Sequence, residues 1–298
     1  MNTPSHIPLF GRIVLIGSGL IGYYLGSAID NQNLAEHVTV AARSQATLDV
    51  MLDLGLAKFA TLDVAKAVVN ADLVILCTPL SAYKKIAQTI SSALKPGAIV
   101  SDVGSCKNIM FSDVAPYLPK NVHMIPGHPV AGTENSGPKA GYAELFKDRW
   151  CILTPGPGAS HKAVNQVEKF WRQLGMDVEI MDAGHHDQVL ALTSHLPHLI
   201  AYTIVGTATD LEDDLKKEVL KYSASGFRDF TRIASSDPVM WRDIFLKNTD
   251  AILNVLERFT EDLESLRNTI RHGDAKKLEN HFNRTREIRR GIINAKQN

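Results

Sequence analysis

The chain has 298 residues, 45% of them hydrophobic and 21% charged, with 32 basic residues balanced by 32 acidic ones. That length allows two domains without requiring them, and a zero net charge sets up no field that would favour nucleic acid or an anionic membrane, so a small-molecule partner is expected. Three scattered cysteines, Cys77, Cys106 and Cys151, give neither a disulfide framework nor a paired metal motif, which fits a reducing cytoplasm.

Residues 12–17 (RIVLIG) form a short β-rich run ending in glycine, and residues 18–32 follow with small and apolar residues at helical spacing. A strand at 37–42 (HVTVAA), a helix to about residue 54 and a strand at 72–77 (DLVILC) come next, the last with the nearly continuous apolar run of a parallel strand covered on both faces. Pro79 opens a helix to residue 93, a KPG turn leads to AIVSD, and VHMIP at 122–126 precedes the polar stretch GHPVAGTENSG at 127–137. Strand-like runs at 150–154 and 177–181 flank a helix from about 161 to 174, and from 183 onward the pattern is helical. The expected fold is therefore α/β: a Rossmann-like doubly wound sheet over residues 1–182, then an all-helical domain over 183–298. No basic leader precedes an apolar run at the N-terminus, and no apolar stretch approaches the ~20 residues of a membrane span, so a cytoplasmic protein without a membrane partner is expected.

Gly17, Ser18, Gly19, Leu20, Ile21 and Gly22 make a GxGxxG between a strand and a helix, the context in which that weak motif binds a dinucleotide. Pyrophosphate would sit over the helix N-terminus, where unpaired N–H groups favour negative charge. About twenty residues on, where an acidic residue would accept from the ribose 2′-hydroxyl of NAD, the chain reads Ala42-Arg43-Ser44. Arg43 and Ser44 can embrace the 2′-phosphate of NADP, or Arg43 can stack on adenine and leave NAD usable; the chemistry leans toward NADP. Ligands of such sheets lie at the carboxyl ends of the strands, so Thr78 and Pro79, the turn carrying Ser105, and the GHP loop should converge on one crevice.

In that crevice His128, stiffened by Pro129, is either a structural histidine or the base that takes a hydroxyl proton as hydride leaves the same carbon. Ser105 can align that hydroxyl. In the helical half, His195 and His198 lie three apart in SHLPH, but no third ligand sits at metal spacing and His185-His186 reads as a polar turn, so no metal is expected. Arg228 and Arg232 share a helix face and can either clamp a carboxylate or face solvent. Thr249, Ile252, Leu256, Phe259, Leu263, Leu266 and Ile270 form a coiled-coil-like seam, packed within the domain or against a second copy of the chain.

Taken with the glycine turn, SDVGSCK at 101–107, GHPVAGTENSG at 127–137, SHLPH at 194–198 and FRDFTRIASSDPVMW at 227–241 resemble the prephenate/arogenate (cyclohexadienyl) dehydrogenases of tyrosine biosynthesis. The resemblance implies oxidative decarboxylation of prephenate to 4-hydroxyphenylpyruvate, or of arogenate to tyrosine, with hydride passing to NAD(P). It implies that His128 is catalytic, that Ser105 orients the ring hydroxyl, that Arg232 binds a substrate carboxylate and that His198 contacts the substrate side chain. Thr133, Glu134, Asp229 and Trp241 match residues around the pocket mouth. The family's helical domain dimerises, which favours a homodimer through the seam, and a monofunctional enzyme is expected. The competing expectations are a β-hydroxyacid or imine reductase on the same two-domain plan, or a non-catalytic NAD(P) sensor.

Overall fold

The computed structural model describes residues 7–17, 19–53, 55, 57–131, 145–210, 218 and 221–294. Its first element is a six-stranded parallel sheet made of β1 (Phe10–Ile16), β2 (Ala35–Ala41), β3 (Phe59–Thr61), β4 (Leu73–Leu76), β5 (Ile99–Asp102) and β6 (His123–Met124), in the order β3-β2-β1-β4-β5-β6. Helices α1 (Leu20–Asn31), α2 (Gln45–Asp53), α3 (Val64–Ala67) and α4 (Tyr83–Ile90) accompany the strands. The alternation of β1 explains why both faces are covered: Ile13 and Leu15 point into one apolar cluster, Val14 and Ile16 into another. The winding reverses between the neighbours β1 and β4, and this switch point opens the crevice at their carboxyl ends.

A second sheet has three strands, β7 (Gly127–Pro129), β8 (Trp150–Leu153) and β9 (Asp177–Ile180), with α5 (His161–Gln173) crossing between the last two. Here the sequence reading needs correction. Residues 127–129 were expected to begin a loop, yet they form an edge strand antiparallel to β8, with His128 opposite Ile152. Gly, His and Pro are weak strand formers, and only pairing with a segment more than twenty residues away makes them one. The edge position tolerates Pro129, which has no N–H to give.

Helices α6 (Ala183–Leu190) and α7 (Leu196–Thr209) join through a π-helical turn, Ala191–His195. The continuous run Ala183–Thr209 contains an 18-residue window with a mean hydropathy of 1.4 and is long and apolar enough, by length and composition, to cross a bilayer, contrary to the expectation that no such stretch exists. Within it His186, Asp187 and His195 are buried in polar contacts with other parts of the same compact unit. Helices α8 (Ser225–Thr231) and α9 (Pro238–Lys247) follow, and Trp241 and Ile244 of α9 belong to the apolar cluster beneath β4 and β5.

By internal contacts the chain divides into compact units of residues 1–249 and 250–298. The second is built from α10 (Thr249–Arg271) and α11 (Ala275–Asn294), turned at Gly273. Of the seam on α10, Ile252 is buried, Leu256, Phe259 and Leu266 are half-buried, and Leu263 and Ile270 are exposed.

Candidate active site

The glycine turn shows why those residue types are needed. Gly17 has φ +103°, in the left-handed region, and a Cβ there would lie 2.7 Å from the Cys77 carbonyl oxygen and from Thr78 Cγ2. A Cβ on Gly22 would lie 2.7 Å from the Gly17 carbonyl oxygen, so α1 packs against the turn at a distance only glycine permits. Helix α1 begins at Gly19 without a side-chain cap, which leaves its first N–H groups for an anion. Beside them Thr78 Oγ1 is buried without a hydrogen-bond partner among the described residues. An uncapped helix start, a cradle that Cβ atoms would fill and an orphaned hydroxyl all fit a dinucleotide. At the end of β2 no carboxylate is present: Ala42 is buried, Arg43 is exposed, and Ser44 accepts from the Thr47 N–H at 3.4 Å at the start of α2.

His128 sits on β7, 7% exposed, with its Nδ1 2.8 Å from His186 Nε2. His186 Nδ1 in turn lies 2.8 Å from Asp187 Oδ1, which also accepts from the Lys107 N–H at 2.7 Å, while Oδ2 accepts from the Asn108 N–H at 2.9 Å. These contacts dictate the tautomers. A carboxylate only accepts, so His186 donates from Nδ1; as a neutral ring it accepts at Nε2, so His128 donates from Nδ1. The lone pair of His128 Nε2 is left over, and that atom has no hydrogen-bond partner among the described residues. Burial, followed by the neighbouring His186, Lys107 and His195, holds the His128 pKa well below its usual value, so the ring is a neutral proton acceptor at pH 7. Burial pushes Asp187 up, but the His186 ring and the N–H groups of Asn108 and Lys107 outweigh it and keep the carboxylate ionised.

Sequence reasoning missed this arrangement. His185-His186 reads as a polar turn, whereas Asp182 caps α6 by accepting from the His185 N–H at 3.0 Å, leaving His185 exposed and His186 fully buried. The available signal was the cap, because a helix starting there puts Ala183, His186, Asp187 and Leu190 on one inward stripe, two of them polar.

On the helical side, His198 stacks on Trp241 with centroids 3.6 Å apart, and its Nδ1 donates to the Ser194 carbonyl at 2.9 Å. Burial lowers the His198 pKa, and the cation of Arg232 adds to that shift, which places Arg232 within electrostatic reach. His195 is fully buried, with Nδ1 3.1 Å from Asn248 Nδ2 and Nε2 without a partner among the described residues. The same Asn248 amide donates to the Asp187 carbonyl at 2.8 Å.

The prephenate dehydrogenase nucleotide-binding domain profile matches residues 25–180, and the prephenate dehydrogenase dimerization domain profile matches 182–284. The chain belongs to the prephenate dehydrogenase family. It is 40% identical over 281 residues to a cyclohexadienyl dehydrogenase of Zymomonas mobilis, covering 94% of this chain and 96% of that one. Among solved structures it resembles a prephenate dehydrogenase of A. aeolicus in complex with hydroxyphenyl propionate and NAD+, with 30% identity, a TM-score of 0.88 and coverage of 95% and 98% of the two chains. An arogenate dehydrogenase of Synechocystis is similar at 25% identity and a TM-score of 0.79 over 94% and 99%. The domain match begins after Gly22, so the glycine turn rests on its own geometry.

Within this prephenate dehydrogenase family member, His128 belongs to the buried histidine pair and Ser105 occupies the turn after β5, half-buried. Thr78 and Pro79 follow β4, the fourth strand rather than the third, because β3 escaped the sequence reading. His198, Arg232 and Trp241 come together, but Trp241 is buried beneath His198 instead of standing at a pocket mouth. Asp229 is exposed on α8. Ser18, Thr133 and Glu134 lie outside the described residues, and among the described residues no cluster of potential metal ligands occurs.

Proposed function

We propose that the chain oxidatively decarboxylates prephenate to 4-hydroxyphenylpyruvate, arogenate to tyrosine, or both, passing hydride to NAD(P). The observation that carries this reading is the tautomer-fixed row Asp187, His186, His128, which presents a neutral imidazole lone pair in a buried site. A nicotinamide dinucleotide would supply the hydride acceptor, with Gly17, Gly19 and Gly22 and the start of α1 holding its pyrophosphate and Thr78 beside it. His128 Nε2 takes the proton of the ring hydroxyl as the carbinol carbon becomes electron-poor, and Ser105 orients that hydroxyl. Loss of carbon dioxide then sends an electron pair through the ring to the same oxygen, and His128 returns its proton there, so the base is regenerated with the aromatic product. Positive charge arriving on His128 passes along the hydrogen bonds toward Asp187, which is already ionised.

Arg232 binds a substrate carboxylate, with His198 on the side chain against Trp241 and exposed Asp229 toward the entrance. Exposed Arg43 and the missing carboxylate at the end of β2 support NADP; the relative of A. aeolicus with bound NAD+ supports NAD. The functional division falls near residue 182, and two copies associate in the cytoplasm through the seam on α10. Initial rates in a two-by-two assay of prephenate and arogenate against NAD and NADP test the proposal. Cofactor reduction with at least one pair is expected, and none with all four would overturn it.

A further inference from the structure

Lys107 and Asp102 form an ion pair with both side chains fully buried, an arrangement that survives only when the remaining donors and acceptors are met. Lys107 Nζ donates to Asp102 Oδ2 at 2.5 Å and to the Gly127 carbonyl at 2.6 Å. Asp102 also accepts from the Tyr83 hydroxyl at 3.0 Å, from the Gly104 N–H at 2.9 Å and, through Oδ1, from the Gly127 N–H at 3.1 Å. Gly127, the residue before His128, is thus held on its N–H by Asp102 and on its carbonyl by Lys107. The backbone N–H of Lys107 meanwhile holds Asp187 Oδ1 at the far end of the histidine row. A single residue therefore touches both ends of the proton path.

We infer that Lys107 and Asp102 are a positioning pair for the proton acceptor: together they fix the β7 backbone so that His128 meets His186. This rests on His128 being the base. The groups facing His128 are His186 from α6 with Asp187 behind it, His195 from the π turn, Lys107 and Asp102 from the β5 side, and Cys151 of β8, whose thiol burial keeps protonated. Among them His186, then Lys107 and His195, oppose a positive imidazole. Replacing Lys107 removes its charge and leaves the Asp102 carboxylate uncompensated, and both changes make protonation of His128 easier.

The test measures kcat, prephenate KM and the pH profile of kcat/KM for Lys107→Met, Asp102→Asn, the double variant and His128→Asn, each checked for folding by circular dichroism. Lys107→Met should lose at least about tenfold in kcat, keep KM within about threefold, and move the acid limb up by about one pH unit. Asp102→Asn should move that limb the opposite way. The double variant, which buries no net charge, should restore the limb while kcat stays low, because the carbonyl grip on Gly127 is gone. Acid limbs that stay put in folded single variants overturn the inference and leave the pair a purely structural tie. If the single variants fail to fold, a double variant with wild-type kcat overturns it equally. A His128→Asn enzyme with wild-type kcat sinks instead the assignment of the base, so the two failures are distinguishable.

Discussion

Substituting His128 by asparagine separates chemistry from architecture at this site. The ring's structural duty is one hydrogen bond, from Nδ1 to His186 Nε2 at 2.8 Å. The Nδ2 of asparagine, at the same distance along the side chain, can donate to the same acceptor, so His186 and Asp187 keep their tautomer and charge. The missing ring atoms leave a small void that costs about 1 kcal/mol, a loss of about 2–4 °C in Tm for a chain of this size. The amide oxygen, however, takes no proton near neutral pH. A positioned general base contributes about 10²–10⁴ in rate, or about 2.7–5.5 kcal/mol of barrier, and all of it should disappear. In steady-state assays kcat should therefore fall by about 10²–10⁴ while prephenate KM moves by less than about threefold, and the acid limb of the pH profile should vanish. A variant retaining more than about a tenth of wild-type kcat, with its acid limb intact, would show that the proton leaves by another route.

Arg232→Gln removes a charge-assisted bond worth about 1.5–3 kcal/mol, so prephenate KM should rise about 10–100-fold with kcat nearly unchanged; an unaltered KM in the same kinetics would return Arg232 to the solvated surface. Arg43→Ala should cost about tenfold in kcat/KM with NADP and little with NAD, and equal losses with both cofactors would contradict a role at the 2′-phosphate. Acid stability follows from the buried histidines. His128, His186, His195 and His198 all have lowered pKa values in the folded chain, so below about pH 6.5 the unfolded chain binds more protons and stability falls as pH drops toward the folded values. For His195, pushed down to about 4, the loss by pH 4 is roughly 3 kcal/mol. Urea midpoints should decline between pH 7 and pH 5, more steeply in the wild type than in His195→Asn, and a flat series would refute the linkage.

The parts of this molecule that depend on local pattern were readable in the sequence. Continuous apolar runs mark β1 and β4, and the glycine turn between β1 and α1 carries its own steric logic. What escaped depends on distant partners. Strand β3 has three residues, with Phe59 exposed, too few for a period to show. The strand character of Gly127–Pro129 exists only through pairing with β8. His186 and Asp187 looked solvated because two polar neighbours usually are, and only their burial against Lys107 and His128 makes them a hydrogen-bonded row. Lys107 stood inside a quoted motif, yet a lysine with no exposed surface is not something a sequence announces.

The π turn at Ala191–His195 also sets an angular index for the site. In an unbroken α-helix, His198 would lie about 120° around the axis from His186. A π turn takes in one residue without advancing the winding, which brings the two to within about 20° of a common meridian. His186 and His198 thus lie on nearly the same side of this helical run because of one supernumerary residue. Removing it would keep both histidines helical while turning them a third of a revolution apart, so the relative facing of these two side chains depends on the length of the run rather than on its outer face.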